Sequence, residues 1–219
     1  MYKRQVLFAC NSQAGYVLKG VFKGAGDGSA ILRMHSKGKL VICDTVKMKR
    51  GKFVFEGETP CVGFALVTVV PEGKESVQMR LALENSKIEM KGDWKNVGMD
   101  EEEELVVKGM TVTGSKNNDV NEEIGKQWKV VETLPGFTKY AELAKKVQDN
   151  PEILEDTTFY WVYRKEFDAY MARVKEEQLK IIVANPSVET AAYQLYFMMN
   201  EMPLEQLEQI FGLFDEKVG

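Results

Sequence analysis

The 219-residue chain holds one histidine, His35, and only three cysteines, Cys10, Cys43 and Cys61. That scarcity removes whole classes of chemistry. No two cysteines form a C-x-x-C pair, so the sequence carries no dithiol redox centre of its own. A Cys/His zinc site needs four convergent ligands with short paired spacings, and these four residues offer none. No nucleophile can be matched with a base from spacing, which makes an enzyme the least favoured reading. A basic stripe is missing too: the formal net charge is -4, against the basic footprint that nucleic-acid binding requires. The longest uncharged apolar run, Val62 to Val70, is half the length of a membrane-spanning helix. The sequence therefore predicts no catalytic, cofactor-binding or metal-ligating residue, no cofactor and no nucleic-acid partner.

What is present is an ordinary globular balance, with 44% hydrophobic and 28% charged residues. The length suits one large domain or two small ones, each able to bury a core. Short apolar or alternating runs recur from Tyr16 to Ser115, each closed by a turn. Strands are predicted at Tyr16–Phe22, Ala30–Met34, Leu40–Val46, Phe53–Gly57, Val62–Val70, Val77–Leu83 and Ile88–Gly92, with Leu105–Val107 and Met110–Thr113 closing the sheet. Phe53 and Phe55 stand two apart and face one side. Val62–Val70 is too apolar for a wet face and is expected to be central. Val77, Met79, Leu81 and Leu83 alternate inward, with Gln78 and Arg80 outward. Cys43, inside a strand, is read as a small buried hydrophobe. Cys43 and Cys61 flank a hairpin, which would permit a disulfide in an oxidising compartment. Their register lies past direct opposition, which disfavours the pair and leaves the question open.

From Asn117 the period becomes helical. The expected helices are Val120–Thr133, capped by Asn118 or Asp119, then Thr138–Gln148 and Glu152–Ala184. Breaks fall at Pro135-Gly136 and Asn150-Pro151. A further helix with Ser187 as its cap and a last one starting at Met202-Pro203 follow. Phe159, Tyr160, Trp161, Tyr163, Phe167 and Tyr170 wrap the long helix in aromatics. A core or docking face explains them better than a cofactor box. If a further domain docks on the helical half, exposed apolar surface is expected near Tyr193–Phe197 or Pro203–Phe214. The five acids Asp100–Glu104 read as a solvated loop, because no spaced calcium-ligand pattern accompanies them. The fold class is α+β: an N-terminal antiparallel β-sandwich or barrel followed by a C-terminal helical region. The expected divisions are 1–14, 15–115 and 116–219.

The first thirteen residues supply the one targeting signal. Lys3 and Arg4 precede apolar Val6–Ala9, and Leu7-Phe8-Ala9-Cys10 resembles a bacterial lipoprotein box with Cys10 as the lipid attachment site. The apolar core is shorter than a whole signal peptide requires. The match is either the remnant of a truncated signal or an accident. Polar Asn11-Ser12-Gln13, which look like a tether, favour the remnant.

Asp44-Thr45-Val46, Gly51-Lys-Phe-x-Phe-x-Gly57, Leu83-Glu-Asn, Ile88-x-Met-x-Gly92 and Val112-x-Gly-Ser115 form a spaced series. The series resembles the β-rich domain of unknown function at the N-terminus of bacterial cell-envelope thiol-disulfide oxidoreductases, TlpA-like or of the AhpC/TSA type. Asn185-Pro-Ser-Val-Glu-Thr190 resembles the break in the helical segment that follows in that family. The resemblance implies a thioredoxin-like domain in cis beyond Gly219, bearing the Trp-Cys-x-x-Cys that this sequence lacks, so no catalytic residue carries over. It also implies a location in the bacterial cell envelope, facing the periplasm, with the membrane met only through a lipid on Cys10 at the outer membrane. The expected function is a non-catalytic module that positions the redox domain or recognises an envelope protein partner. The alternative is a stand-alone envelope lipoprotein whose β-sandwich binds a ligand or a protein.

Overall fold

A computed structural model describes residues 15–36, 39–100, 104–215 and 218. Contacts divide the chain into two compact units between Asn118 and Asp119. The first is the β unit. Its strands are β1 (Tyr16–Lys23), β2 (Gly28–Ser36), β3 (Lys39–Met48), β4 (Lys52–Gly57), β5 (Gly63–Pro71), β6 (Val77–Leu83), β7 (Lys87–Asp93), β8 (Val97–Met99), β9 (Leu105–Val107) and β10 (Thr111–Thr113). They form two four-stranded sheets, ordered β10-β7-β1-β4 and β3-β2-β5-β6, with β8 and β9 as a separate ribbon. The class is α+β with sandwich-like sheets, and the described strands close no barrel.

Burial follows the pleat. In β6 the side chains of Val77, Met79, Leu81 and Leu83 are inside while Gln78 and Arg80 are outside. β5 lies between β2 and β6, as its apolar run requires. Phe22, Phe53, Phe55 and Trp94 pack edge or face within the core, at centroid separations of 5.4–6.0 Å. The chain passes from the second sheet back to the first through Arg50-Gly51. Lys49 and Lys52 exchange both backbone hydrogen bonds there, at 3.0 and 2.9 Å. Arg50 and Gly51 both have positive φ, 50° and 73°, the signature of the tight turn that matches strand twist. A side chain on Gly51 would place its Cβ 1.9 Å from the Phe22 carbonyl oxygen, so the turn demands glycine.

Three expectations for the β unit change. The sheet is not wholly antiparallel, because β1 and β7 run parallel from Val17↔Lys87 to Lys23↔Asp93. The chain lays down β5 and β6 in the other sheet before β7 returns, so that crossover rather than a hairpin sets the direction of β7. β9 pairs with β8 instead of closing a main sheet; only β10 does so, against β7. Cys43 is exposed, not buried. The register passes from Leu32↔Asp44 to Arg33↔Ile42, leaving Cys43 as the extra residue of a β-bulge on an edge strand.

The second unit holds helices α1 (Lys116–Glu132, beginning within the β unit), α2 (Thr138–Asp149), α3 (Thr157–Ala184), α4 (Glu189–Met198) and α5 (Leu204–Phe211). Two small cores hold it together. One joins Val120 and Ile124 to Ile181, Ile182, Val188, Ala191, Leu195 and Ile210; the other centres on Val131, Tyr170 and Val174.

Helix starts depart from expectation where capping chemistry was misread. The Asn118 backbone N–H donates to the Ser115 hydroxyl at 3.1 Å, so Ser115 opens α1 and Asn118 sits inside its first turn. The Asp156 carboxylate accepts from the N–H groups of Thr158 and Phe159, so α3 starts at Thr157 after a separate 3-10 turn, Pro151–Glu155. α4 follows Val188 with no side-chain cap, so Ser187 does not serve as one.

Candidate interaction surfaces

Cys10, with the whole of residues 1–14, lies outside the described residues. Cys43 and Cys61 are both free thiols. Among the described residues no group of three or more His, Cys, Asp and Glu side chains could hold a metal ion. Residues 101–103 of the acidic run also lie outside the described set. Its ends are tied together: Glu104 N–H donates to the Asp100 carboxylate at 2.9 Å, and Asp100 N–H to the Glu104 carbonyl. No described helix is long and apolar enough to cross a membrane.

The aromatic belt on α3 divides: Tyr170 is buried and Phe159, Tyr163 and Phe167 are half-buried, whereas Tyr160 and Trp161 are exposed, Trp161 at 64%. Tyr140 of α2 stacks on Tyr170 at 4.1 Å and reaches Tyr163 and Phe167 at 6.3 and 6.2 Å. The Tyr170 hydroxyl donates to the Trp128 carbonyl at 2.8 Å, so its polar tip is satisfied in place. Burial, then the neighbouring phenols of Tyr163 and Tyr170 and the carboxylate of Glu132, pushes the Tyr140 phenol up to about 12. A cleft of about 210 Å³ lies between α3, α4 and α5, lined by Leu179, Met198 and Met202 with the Lys175–Glu201 ion pair at its rim. Ligand pockets begin at roughly 300 Å³. The cleft lies below that range.

Apolar side chains are exposed on the last helices as well. Tyr196 and Phe197 on α4 are 60% and 57% exposed, and Leu204 on α5 is 67% exposed. Tyr193, Phe211 and Leu213 add to them. Tyr193 and Tyr196 both touch the Phe197 ring, at 4.7 and 5.7 Å, so α4 presents one aromatic cluster. Large aromatics clustered outside a core are the usual mark of a protein contact.

In the β unit the two edges of the second sheet differ. At the β6 edge the Asn118 carboxamide accepts from Ala82 N–H at 2.8 Å and donates to Ala82 C=O at 2.7 Å, standing where a further strand would pair with that residue. Its amide also donates to Ser115 Oγ at 2.8 Å. Among the described residues β3 pairs only with β2, and Leu40, Val41 and Ile42 on it are exposed. Sequence reading missed the Asn118 clamp, since an asparagine before a helical stretch reads as a cap.

The outer sheet faces differ as well. On the first sheet Lys19, Lys23, Lys52, Lys87 and Lys91 alternate with Glu56, Glu89 and Asp93, and Lys91 pairs with Glu89 at 2.6 Å. The second sheet has one carboxylate in its four strands, Asp44. Opposite Leu32, it sits on the core side. The outer face carries Arg33, Arg80 and Lys47 among Ile31, Ile42 and Leu66.

Residues 16–121 match the family described as a domain of unknown function (DUF4369), and the match runs past Asn118. No curated protein matches the chain.

Proposed function

We propose that this chain, with a match to that family followed by helices bearing an exposed aromatic cluster, is a non-catalytic module of a cell-envelope thiol-disulfide oxidoreductase. In this reading the helical unit receives a thioredoxin-like domain in cis, or an envelope protein partner, on α4 and α5. The single observation that carries it is the apolar exposure of Tyr196, Phe197 and Leu204. Leaving such rings wet forgoes roughly 25 cal/mol for each Å² that a partner could cover. The spaced motifs that resemble the envelope family supply the identity of the partner. Cys43 and Cys61 have no dithiol partner spacing, so the redox step would lie wholly in the other domain.

The native reading frame downstream of Gly219 tests this. An in-frame continuation to Trp-Cys-x-x-Cys is the expected result. A stop codon directly after Gly219 would contradict it and favour the stand-alone envelope lipoprotein, anchored through Cys10.

A further inference from the structure

We infer that the exposed face of α4 and α5 takes a basic partner surface, one whose apolar residues are bordered by lysine or arginine. The inference rests on the proposed docking role of these helices and adds to it the charge of what docks.

The charge pattern makes the case for cations. Residues 181–216 contain six acids and not one lysine, arginine or histidine, in a chain that has 29 Lys and Arg. Glu201 is answered from another helix, by Lys175 of α3. Glu205 and Glu208 on α5 are exposed and meet no cation among the described residues. α3, in the same unit, shows the self-neutralised pattern that a merely solvated face adopts. There Arg173 pairs with Glu176 and Glu177, and Lys180 pairs with the same two acids at 3.2 and 3.0 Å.

Helix geometry sets these acids among exposed apolar side chains. The buried side of α5 is Ile210, with Leu207 and Phe214 packed against the same core. Away from it Leu204, Glu208 and Phe211 stand at i, i+4 and i+7 as one exposed stripe, and Glu205 lies next to that stripe. An occupant whose apolar residues cover Leu204 and Phe211 must therefore cover Glu208 too. Without a cation it would bury that carboxylate unpaired, which opposes the apolar gain. Lysine and arginine meet both needs, because their aliphatic stems lie on apolar surface while their heads reach a carboxylate. Arginine can also stack on the exposed rings of Tyr196 and Phe197 on α4. The same charges exclude other occupants. A second copy seated face to face across a two-fold axis would set Glu205 and Glu208 against acids of the same surface. An anionic lipid surface would be repelled.

The test is fluorescence anisotropy of the full 219-residue chain with a labelled amphipathic peptide of leucine and lysine in a helical repeat. A peptide with glutamate in place of lysine runs beside it. The Leu-Lys peptide should bind, the Leu-Glu peptide should not, and added salt should weaken binding. Glu205→Gln with Glu208→Gln should leave the thermal melt in place, since both are exposed, and weaken the Leu-Lys peptide about fivefold. Glu56→Gln with Glu58→Gln removes the same charge from the β unit and should leave binding unchanged. Phe197→Ala should weaken the Leu-Lys peptide. Absence of Leu-Lys binding, or an equal loss in both pairs of Gln variants, would overturn the inference. Equal binding of both peptides that falls in Phe197→Ala would also overturn it while leaving the docking role standing. Leu-Lys selectivity beside a stop codon after Gly219 would uphold it and remove the domain in cis.

Discussion

The β unit and the helical unit bury their apolar residues to different degrees. In the β unit Phe22, Phe53, Phe55 and Trp94 meet in one core shared by both sheets. In the helical unit the buried residues divide into two small clusters, while Tyr193, Tyr196, Phe197, Leu204 and Phe211 stay exposed. The difference teaches where each unit's stability comes from. Two sheets facing each other can hide a complete apolar face from their own strands. Short helices such as α4 and α5 bury one stripe and need a partner to cover more.

The comparison breaks most visibly with a cavity. Phe55→Ala empties a fully buried site, and a loss of about 3–5 kcal/mol in chemical denaturation is expected, enough to unfold a marginal domain. A loss below about 1 kcal/mol would mean that the β core is not the stabilising element described.

A smaller effect sharpens the boundary of the β unit. Asn118→Ala leaves both backbone groups of Ala82 without their partner and should cost about 1–3 kcal/mol. A fragment of residues 15–121 should accordingly melt cooperatively and at a higher temperature than one of residues 15–116. Equal melting temperatures would show that the clamp contributes nothing.

That clamp marks the limit of what the sequence conveys. The alternation of Val77, Met79, Leu81 and Leu83 is legible because one face of β6 is dry and the other wet, and a period of two reports exactly that contrast. Apolar Leu40-Val41-Ile42 reads as a strand without telling centre from edge, because the same letters serve both; only the bulge at Cys43 and the edge position of β3 expose them. Ser115 and Asn118 are both good caps, and local preference cannot tell which caps the helix and which ties a strand. Asp156 was equally able to sit inside a long helix or to start one. Candidate surfaces were partly legible. The exposed rings of α4 fall in the expected segment, whereas the carboxylate-free sheet face emerges only once register assigns each residue to a side.

Alkaline pH separates the two units more gently. The folded-state pKa of Tyr140 lies above the ordinary tyrosine value of 10, so its contribution is fully present below pH 10 and is lost as pH rises toward about 12. Urea midpoints measured at pH 9 and pH 11 should fall at the higher pH, and Tyr140→Phe should shrink that fall. Tyr16 and Tyr170 are shifted in the same direction, mainly by burial, and keep part of it. A midpoint that rises between pH 9 and pH 11 would contradict the buried placement of these phenols.

The smallest expected change in stability carries the central claim, that the rings on α4 are exposed to receive another protein surface. Tyr196→Ala and Phe197→Ala should each change the stability of the 219-residue chain by less than about 0.5 kcal/mol, since these side chains contribute little to its own core. The most direct measurement is oxidative footprinting of Tyr193, Tyr196 and Phe197 in the 219-residue chain and in the complete product of its native reading frame. Labelling several-fold lower in the complete product is the predicted result. Equal labelling in both would contradict the claim.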